Sequence, residues 1–219
     1  MIVQRVKWAI RGSIDDTCNT GVVANLVDDL PPEELGFHFL AGRPCLDLAA
    51  TVGERWRRCF ERLRTPEDLG RWLVEAGLLQ SAPPVDERQL EQARALRDAI
   101  YEVAKLAGVG VPTAADVAQI NRWAARPALA PQLGANGRHV SWVAEELVEA
   151  SLGTLARDAV DLLSGPLAHR VRECAADDCA LLFVDTSPPG RRRWCSMDGC
   201  GNRAKTAAYR RRHPVKESR

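Results

Sequence analysis

Cys174-Ala-Ala-Asp-Asp-Cys179 and Cys195-Ser-Met-Asp-Gly-Cys200 share one design: paired cysteines with four residues between them, the pairs themselves fifteen residues apart. Paired thiolates with a loop between them are how a short segment builds a tetrahedral zinc site. Four thiolates close the shell and leave no open position, so an ion held this way is structural. Redox pairs favour two intervening residues, which argues against a thiol–disulfide motif. The equal spacings argue against four unrelated buried cysteines, and iron–sulfur ligation remains as an alternative. The expected cofactor is Zn2+, with Cys174, Cys179, Cys195 and Cys200 as ligands. Asp177 and Asp178 lie inside the first loop, but thiolates outcompete carboxylates for zinc. His169 and His213 read as surface residues. Cys18, Cys45 and Cys59 stand isolated, and Cys45 reads as a small core residue.

The residues around the cysteines set the local fold. Leu181-Leu-Phe-Val184 predicts a short strand, Ser187-Pro-Pro-Gly190 a turn, and Arg192-Arg-Trp194 the antiparallel return. Asn202 to Arg210 reads as helix. The order of cysteine pair, hairpin, cysteine pair and helix resembles a treble clef.

Charge follows the same boundary. The chain of 219 residues carries a net charge of +1. Residues 165–219 hold 12 Lys and Arg against 6 Asp and Glu, a balance of +6, and the remainder holds 18 against 23, a balance of −5. Only four of the 30 basic residues are Lys, an Arg bias that a GC-rich genome produces by itself. The local balance is therefore the informative quantity.

The body upstream is mainly helical. Thr65-Pro66-Glu67-Asp68 offers a hydroxyl cap, Pro at the first helical position and an acid three residues beyond the cap. Leu69, Trp72, Leu73 and Ala76 share a face, and Gly77 supplies the stop. Asp86 to Ala107 shows helical spacing through Leu90, Ala93, Leu96 or Arg97, Ile100, Val103 and Leu106. Thr113 caps a shorter helix with Trp123 on its apolar face. A long helix is expected from Ser141 to Leu162, closed by Gly165-Pro166. Residues 127–139 read as a loop or hairpin. Phe37 to Thr51 reads as a strand, a turn, then a short helix or second strand. Asp47, between Leu46 and Leu48, reads as a turn cap or a partner of Arg43, ahead of a ligand contact.

The fold class is α+β: a mainly α-helical body with a small β element, then a treble-clef-like zinc finger of β-hairpin and helix. The expected division is an N-terminal extension over 1–35, which is flexible or holds a short strand, a helical domain over 36–165 and the finger with its basic tail over 166–219. No apolar run is long enough to span a bilayer, and Met1–Asp16 has no uninterrupted apolar stretch. A cytoplasmic location without membrane contact is expected, where clustered cysteines favour metal over disulfides.

Specific motifs extend this reading. Arg172-x-Cys174-Ala175-x-x-x-Cys179, Leu182-Phe183-x-Asp185, Arg192-Arg193-Trp194-Cys195-Ser196-Met197, Cys200-Gly201-Asn202-Arg203-x-Lys205 and Tyr209-Arg210 together resemble the CGNR zinc-finger family of bacterial proteins. Phe39-x-x-Gly42-x-x-x-Leu46-Asp47-Leu48 and Thr65-Pro66-x-Asp68-Leu69-x-x-Trp72-Leu73 resemble the ABATE domain that accompanies this finger. The resemblance covers about residues 37–213. It implies a candidate stress-response transcription regulator whose finger binds DNA, and brings no catalytic motif.

Residue chemistry agrees with that implication. In a helix from Asn202 to Arg212, with Asn202 as its cap, Arg203, Ala207 and Arg210 share one stripe and Lys205, Tyr209 and Arg212 a neighbouring one. Arg191, Arg192 and Arg193 precede the second cysteine pair, and Arg211 completes the cationic set. These eight residues are the candidate contacts to double-stranded DNA. Arg203 serves equally well as a neutraliser of the thiolates. A single finger has a small footprint, so specificity favours a homodimer, and the body is the place for an unknown small-molecule effector. Two other classes compete: a zinc-stabilised protein-interaction module, and an effector-sensing domain without DNA binding. No nucleophile elbow, phosphate loop or His-x-x-x-His pair is present, so no enzymatic activity is expected.

Overall fold

The computed structural model describes residues 35–213. The proposed extension, apart from its last residue, and Cys18 lie outside the described residues. The chain runs α1 (Pro44–Ala49), β1 (Val52–Gly53), β2 (Phe60–Glu61), α2 (Pro66–Glu75), α3 (Glu87–Lys105), α4 (Ala114–Ala124), β3 (Ala130–Leu133), β4 (Val140–Val143), α5 (Leu147–Ser164), β5 (Val171–Glu173), β6 (Leu182–Val184) and α6 (Asn202–Arg212). The strands form three separate antiparallel pairs, β1–β2, β3–β4 and β5–β6. This is the expected α+β class.

Helix starts follow their capping residues. Thr65 and Asp68 form a reciprocal capping box with Pro66 at the first position, and Asp86 and Gln89 form a second one. Each satisfies two of the backbone N–H groups that a helix start leaves without partners. Thr113 accepts from the Asp116 N–H. Gly77 takes φ +73° just past α2, the left-handed stop that favours glycine.

α3 is the hub. Leu90, Ala93, Leu96 and Ile100 are buried on it, and the helix packs against α1, α2, α4 and α5 and also meets β5 and β6. Trp72, Leu73, Leu152 and Leu155 are fully enclosed around it. One continuous cluster of buried side chains runs from these helices through Val171, Leu182, Phe183 and Val184 to Cys174, Cys195 and Cys200. The hairpin of the cysteine segment is therefore built into the core of the body. Cys45 is fully buried there, whereas Cys59 is disulfide-bonded and so not isolated.

Polar groups tie β1–β2 to α3. Arg97 is 4 % exposed and donates to Glu61 at 2.6 and 2.7 Å and to Asp98 at 3.1 Å. Against the pull of burial, the two carboxylates hold its guanidinium above its ordinary value. Asp98 also receives Arg55 at 3.0 Å.

Three expectations need correction. The long helix begins at Leu147, not Ser141: Val140–Val143 pairs instead with Ala130–Leu133. Asn136-Gly137 closes that hairpin, with Gly137 at φ +66° and the Arg138 N–H donating to Asn136 Oδ1; such a pair between apolar runs is a strong hairpin signal. β6 pairs with β5, in register Val171–Val184 and Glu173–Leu182, and not with Arg192–Trp194. The fully buried Asp185 takes the Arg192 N–H at 2.9 Å, so a side chain supplies what a ladder would have. Finally, of the apolar front segment only Pro44–Ala49 is helical, and Phe37–Leu40 is irregular.

Candidate metal centre

The four cysteine sulfurs converge. All lie within 4.8 Å of one another, with Cys179–Cys195 at 3.8 Å and Cys195–Cys200 at 3.6 Å. A tetrahedron of sulfurs about 2.3 Å from a central zinc has edges of about 3.8 Å. The separations fit such an ion, and four soft sulfur donors suit zinc over hard cations. None of the four is in a disulfide. The thiols compete for protons: hydrogen bonds from the other three hold the Cys174 thiol below its ordinary value, and the same contacts push the Cys179 thiol up. A divalent cation at their centre lets all four ionise together.

Each cysteine is placed by its element. Cys174 follows β5, and its N–H donates to Leu181 O at 2.9 Å. The Ala175 N–H donates to Arg193 O at 2.8 Å, pulling the second pair toward the first. Arg192 donates to Trp194 O at 2.8 Å and to Cys195 O, and its guanidinium lies over Phe183. Upstream, Asp185 accepts the Ser187 N–H and hydroxyl besides the Arg192 N–H. Against burial, these bonds hold its carboxyl below the usual range. Cys195 donates its N–H to Cys174 Sγ at 3.5 Å.

A single π-helical turn, Met197–Gly201, carries Cys200 into α6. Ser196 starts it, accepting the Gly199 N–H at 3.2 Å. A Cβ on Gly201 would lie 2.9 Å from Met197 Sδ and 3.4 Å from Ser196 O, so the tight turn uses the missing side chain. Asn202 is not the expected cap: it is already helical, and its Nδ2 donates to Asp198 O at 3.3 Å. The capping role has moved to Ser196, because the π turn feeds the helix directly.

Arg203 belongs to the cluster. Its Nη2 donates to Cys200 Sγ at 3.1 Å, and it pairs with Asp178 at 3.2 Å. Against burial, the Cys200 sulfur and Asp178 raise its guanidinium above the ordinary value. Asp178 is thus the partner of an arginine beside the sulfurs, a role that its separation of 25 residues from Arg203 hides in the sequence. Ser196 and Asp185 were more legible, since both begin short hydroxyl or carboxylate turns.

The other basic residues lie outward. α6 has no buried residue, and Lys205, Arg210, Arg211 and Arg212 are exposed along it, as are Arg191 and Arg193 before the second pair. Arg193 lies over the half-buried Trp194. His169 and His213 are exposed as expected. Among the described residues no helix is long and apolar enough to cross a membrane.

Comparison with known families gives two matches, in the order the motifs suggested. Residues 42–166 match ABATE, described as "Putative stress-induced transcription regulator". Residues 170–213 match the family described as "CGNR zinc finger". No curated protein matches the chain.

Proposed function

The chain belongs to the ABATE family, and from that premise we propose that it is a DNA-binding transcription regulator, with Zn2+ held by Cys174, Cys179, Cys195 and Cys200. The ion would supply no catalysis. It would fix the second cysteine pair and the α6 that follows, which buries no residue of its own, so its binding energy is in good part folding energy of that stretch. The proposal is of a cytoplasmic regulator and not of an enzyme.

One observation carries the reading. α6 stands directly on the cysteine cluster, buries none of its residues and ends in Arg210-Arg211-Arg212. A helix polar all round gains nothing from the protein core; its exposed cations suit a phosphate backbone. Among the described residues, Lys205, Arg210 and Arg211 show no ion pair, whereas Arg203 and Arg192 are engaged in holding the cluster together. We therefore assign DNA contact chiefly to Lys205, Arg210, Arg211 and Arg212, with Arg191 and Arg193 as a second clamp.

Titration of a labelled duplex at several salt concentrations tests this. Each phosphate neutralised adds about 0.9 to the slope of log affinity against log salt. Changing Lys205, Arg210 and Arg211 together to Ala is expected to weaken binding and to reduce that slope by about 2 to 3. Absence of duplex binding by the zinc-loaded protein at low salt would sink the proposal.

A further inference from the structure

A cleft of about 430 Å³ separates the β1–β2 hairpin from the cysteine cluster. Among the described residues, its apolar part includes Leu40, Val52, Phe60 and Leu181, and its polar part includes His38, Arg58, Arg62 and Arg203. Volumes of this size, with an apolar lining and a few convergent polar groups, are typical of small-molecule sites.

The wall on the body side is built with care for position. Gly53 and Phe60 are register partners, and a Cβ on Gly53 would meet the tip of the Phe60 ring closer than any side chain allows. The distal edge of the ring lies against the glycine, with Arg62 at 4.7 Å and Arg58 at 5.3 Å from its centroid. The loop that joins the strands holds Glu54 at φ +43° and Cys59 at φ +46°. Left-handed backbone at two residues other than glycine costs energy and gathers where function fixes geometry. Glu54 takes Arg58 at 2.6 Å, and Arg62 donates to Ala50 O at 3.0 Å. Both guanidiniums are thereby held in place at the cleft.

Arg203 supplies the opposite wall. Its contacts to Asp178 and Cys200 use Nε and Nη2, its side chain is 56 % exposed, and a guanidinium has five N–H donors in all. Among the described residues, Arg58, Arg62 and Arg203 line the cleft together with Glu54 and Asp178. Partial desolvation and the positive charges of Arg62 and Arg203 push the His38 imidazole below its ordinary value. A neutral imidazole donates or accepts a hydrogen bond without adding charge.

We propose that this cleft binds a small organic anion, its charged head among Arg62, Arg203 and His38 and its apolar part on Leu40 and Phe60. Such a ligand touches the body through β1–β2 and the finger through Arg203. The proposal is independent of DNA binding.

The test is a titration of the isotopically labelled, zinc-loaded full chain with benzoate, followed by amide resonances, with benzyl alcohol as the neutral counterpart. Benzoate is expected to shift His38, Leu40, Gly53 and Arg203 saturably, and benzyl alcohol is not. Leu40 is 44 % exposed, so Leu40→Glu places a like charge at the cleft with little demand on folding; it is expected to weaken benzoate at least about tenfold. Absence of saturable shifts, shifts centred elsewhere, equal binding of benzyl alcohol, or an unchanged affinity in Leu40→Glu would each overturn the assignment. No DNA enters the titration, so its failure leaves the regulator reading standing, and the reverse holds too.

Discussion

Arg203 and Asp47 show what single side chains decide here. Arg203 neutralises sulfur charge from its place two residues past Gly201, and such outer partners commonly account for ten- to a hundredfold in metal affinity. Arg203→Ala is therefore expected to lower zinc affinity by about that factor in competition with a chromogenic chelator; unchanged affinity would remove its supporting role. Asp47 accepts the Ala41 N–H at 2.9 Å, while Arg43 pairs with Asp158 and Asp161. Between turn cap and partner of Arg43, the two structural roles expected for it, the first is the one realised. Burial, with Asp158 adding to it, pushes the Asp47 carboxyl up to about 6. The folded state then holds a proton that the unfolded state releases, so stability falls as pH rises from about 4 to 6 and is flat above. The loss is on the order of 3 kcal/mol. Asp47→Asn is expected to flatten that slope in urea titrations across this window; a slope of equal size in the variant would exclude Asp47 as its source. The cysteine set was legible because ligand spacing is local. The Asp178–Arg203 pair was not, because only the folded chain brings the two together.

Among the elements, those with local signals were read best. The capping boxes at Thr65 and Asp86 sit within four residues of sequence, and both helices start where those boxes place them. β4 was misread as helix because Val140-Ser-Trp-Val143 satisfies either period over so short a run; Asn136-Gly137 was the signal that decides it. The partner of β6 was misassigned because Asp185 claims the Arg192 N–H, a competition that strand propensity does not register. Placement also separates two elements energetically. Leu182, Phe183 and Val184 are buried in the body core, and the Val184 N–H donates to Ala41 O at 2.9 Å. α6 has no such anchorage. On chelation, hydrogen exchange is expected to become fast from Cys195 to Arg212 while Val171–Glu173 and Leu182–Val184 stay protected. Loss of protection in both regions together would show that the hairpin depends on the ion as well.

At the scale of the molecule, the two matched segments, 42–166 and 170–213, meet in one core and not across a free linker. Charge divides between them: the basic surplus sits on the cysteine segment, and the helix that shows it is held by the turn bearing Cys200. The sulfur cluster is thus joined directly to that helix, through the π turn that bears Cys200 and through the Arg203 guanidinium on its sulfur. The class and the order of the segments were readable from motifs and composition. Their shared core was not, because nothing in the spacing of Val171 or Phe183 says which helix they will meet. The most direct test is elemental analysis of the purified, reduced full chain, combined with X-ray absorption at the zinc edge. One zinc per chain with four sulfur neighbours at about 2.3 Å is expected. A chain without zinc, or a metal held by fewer than four sulfurs, would contradict it.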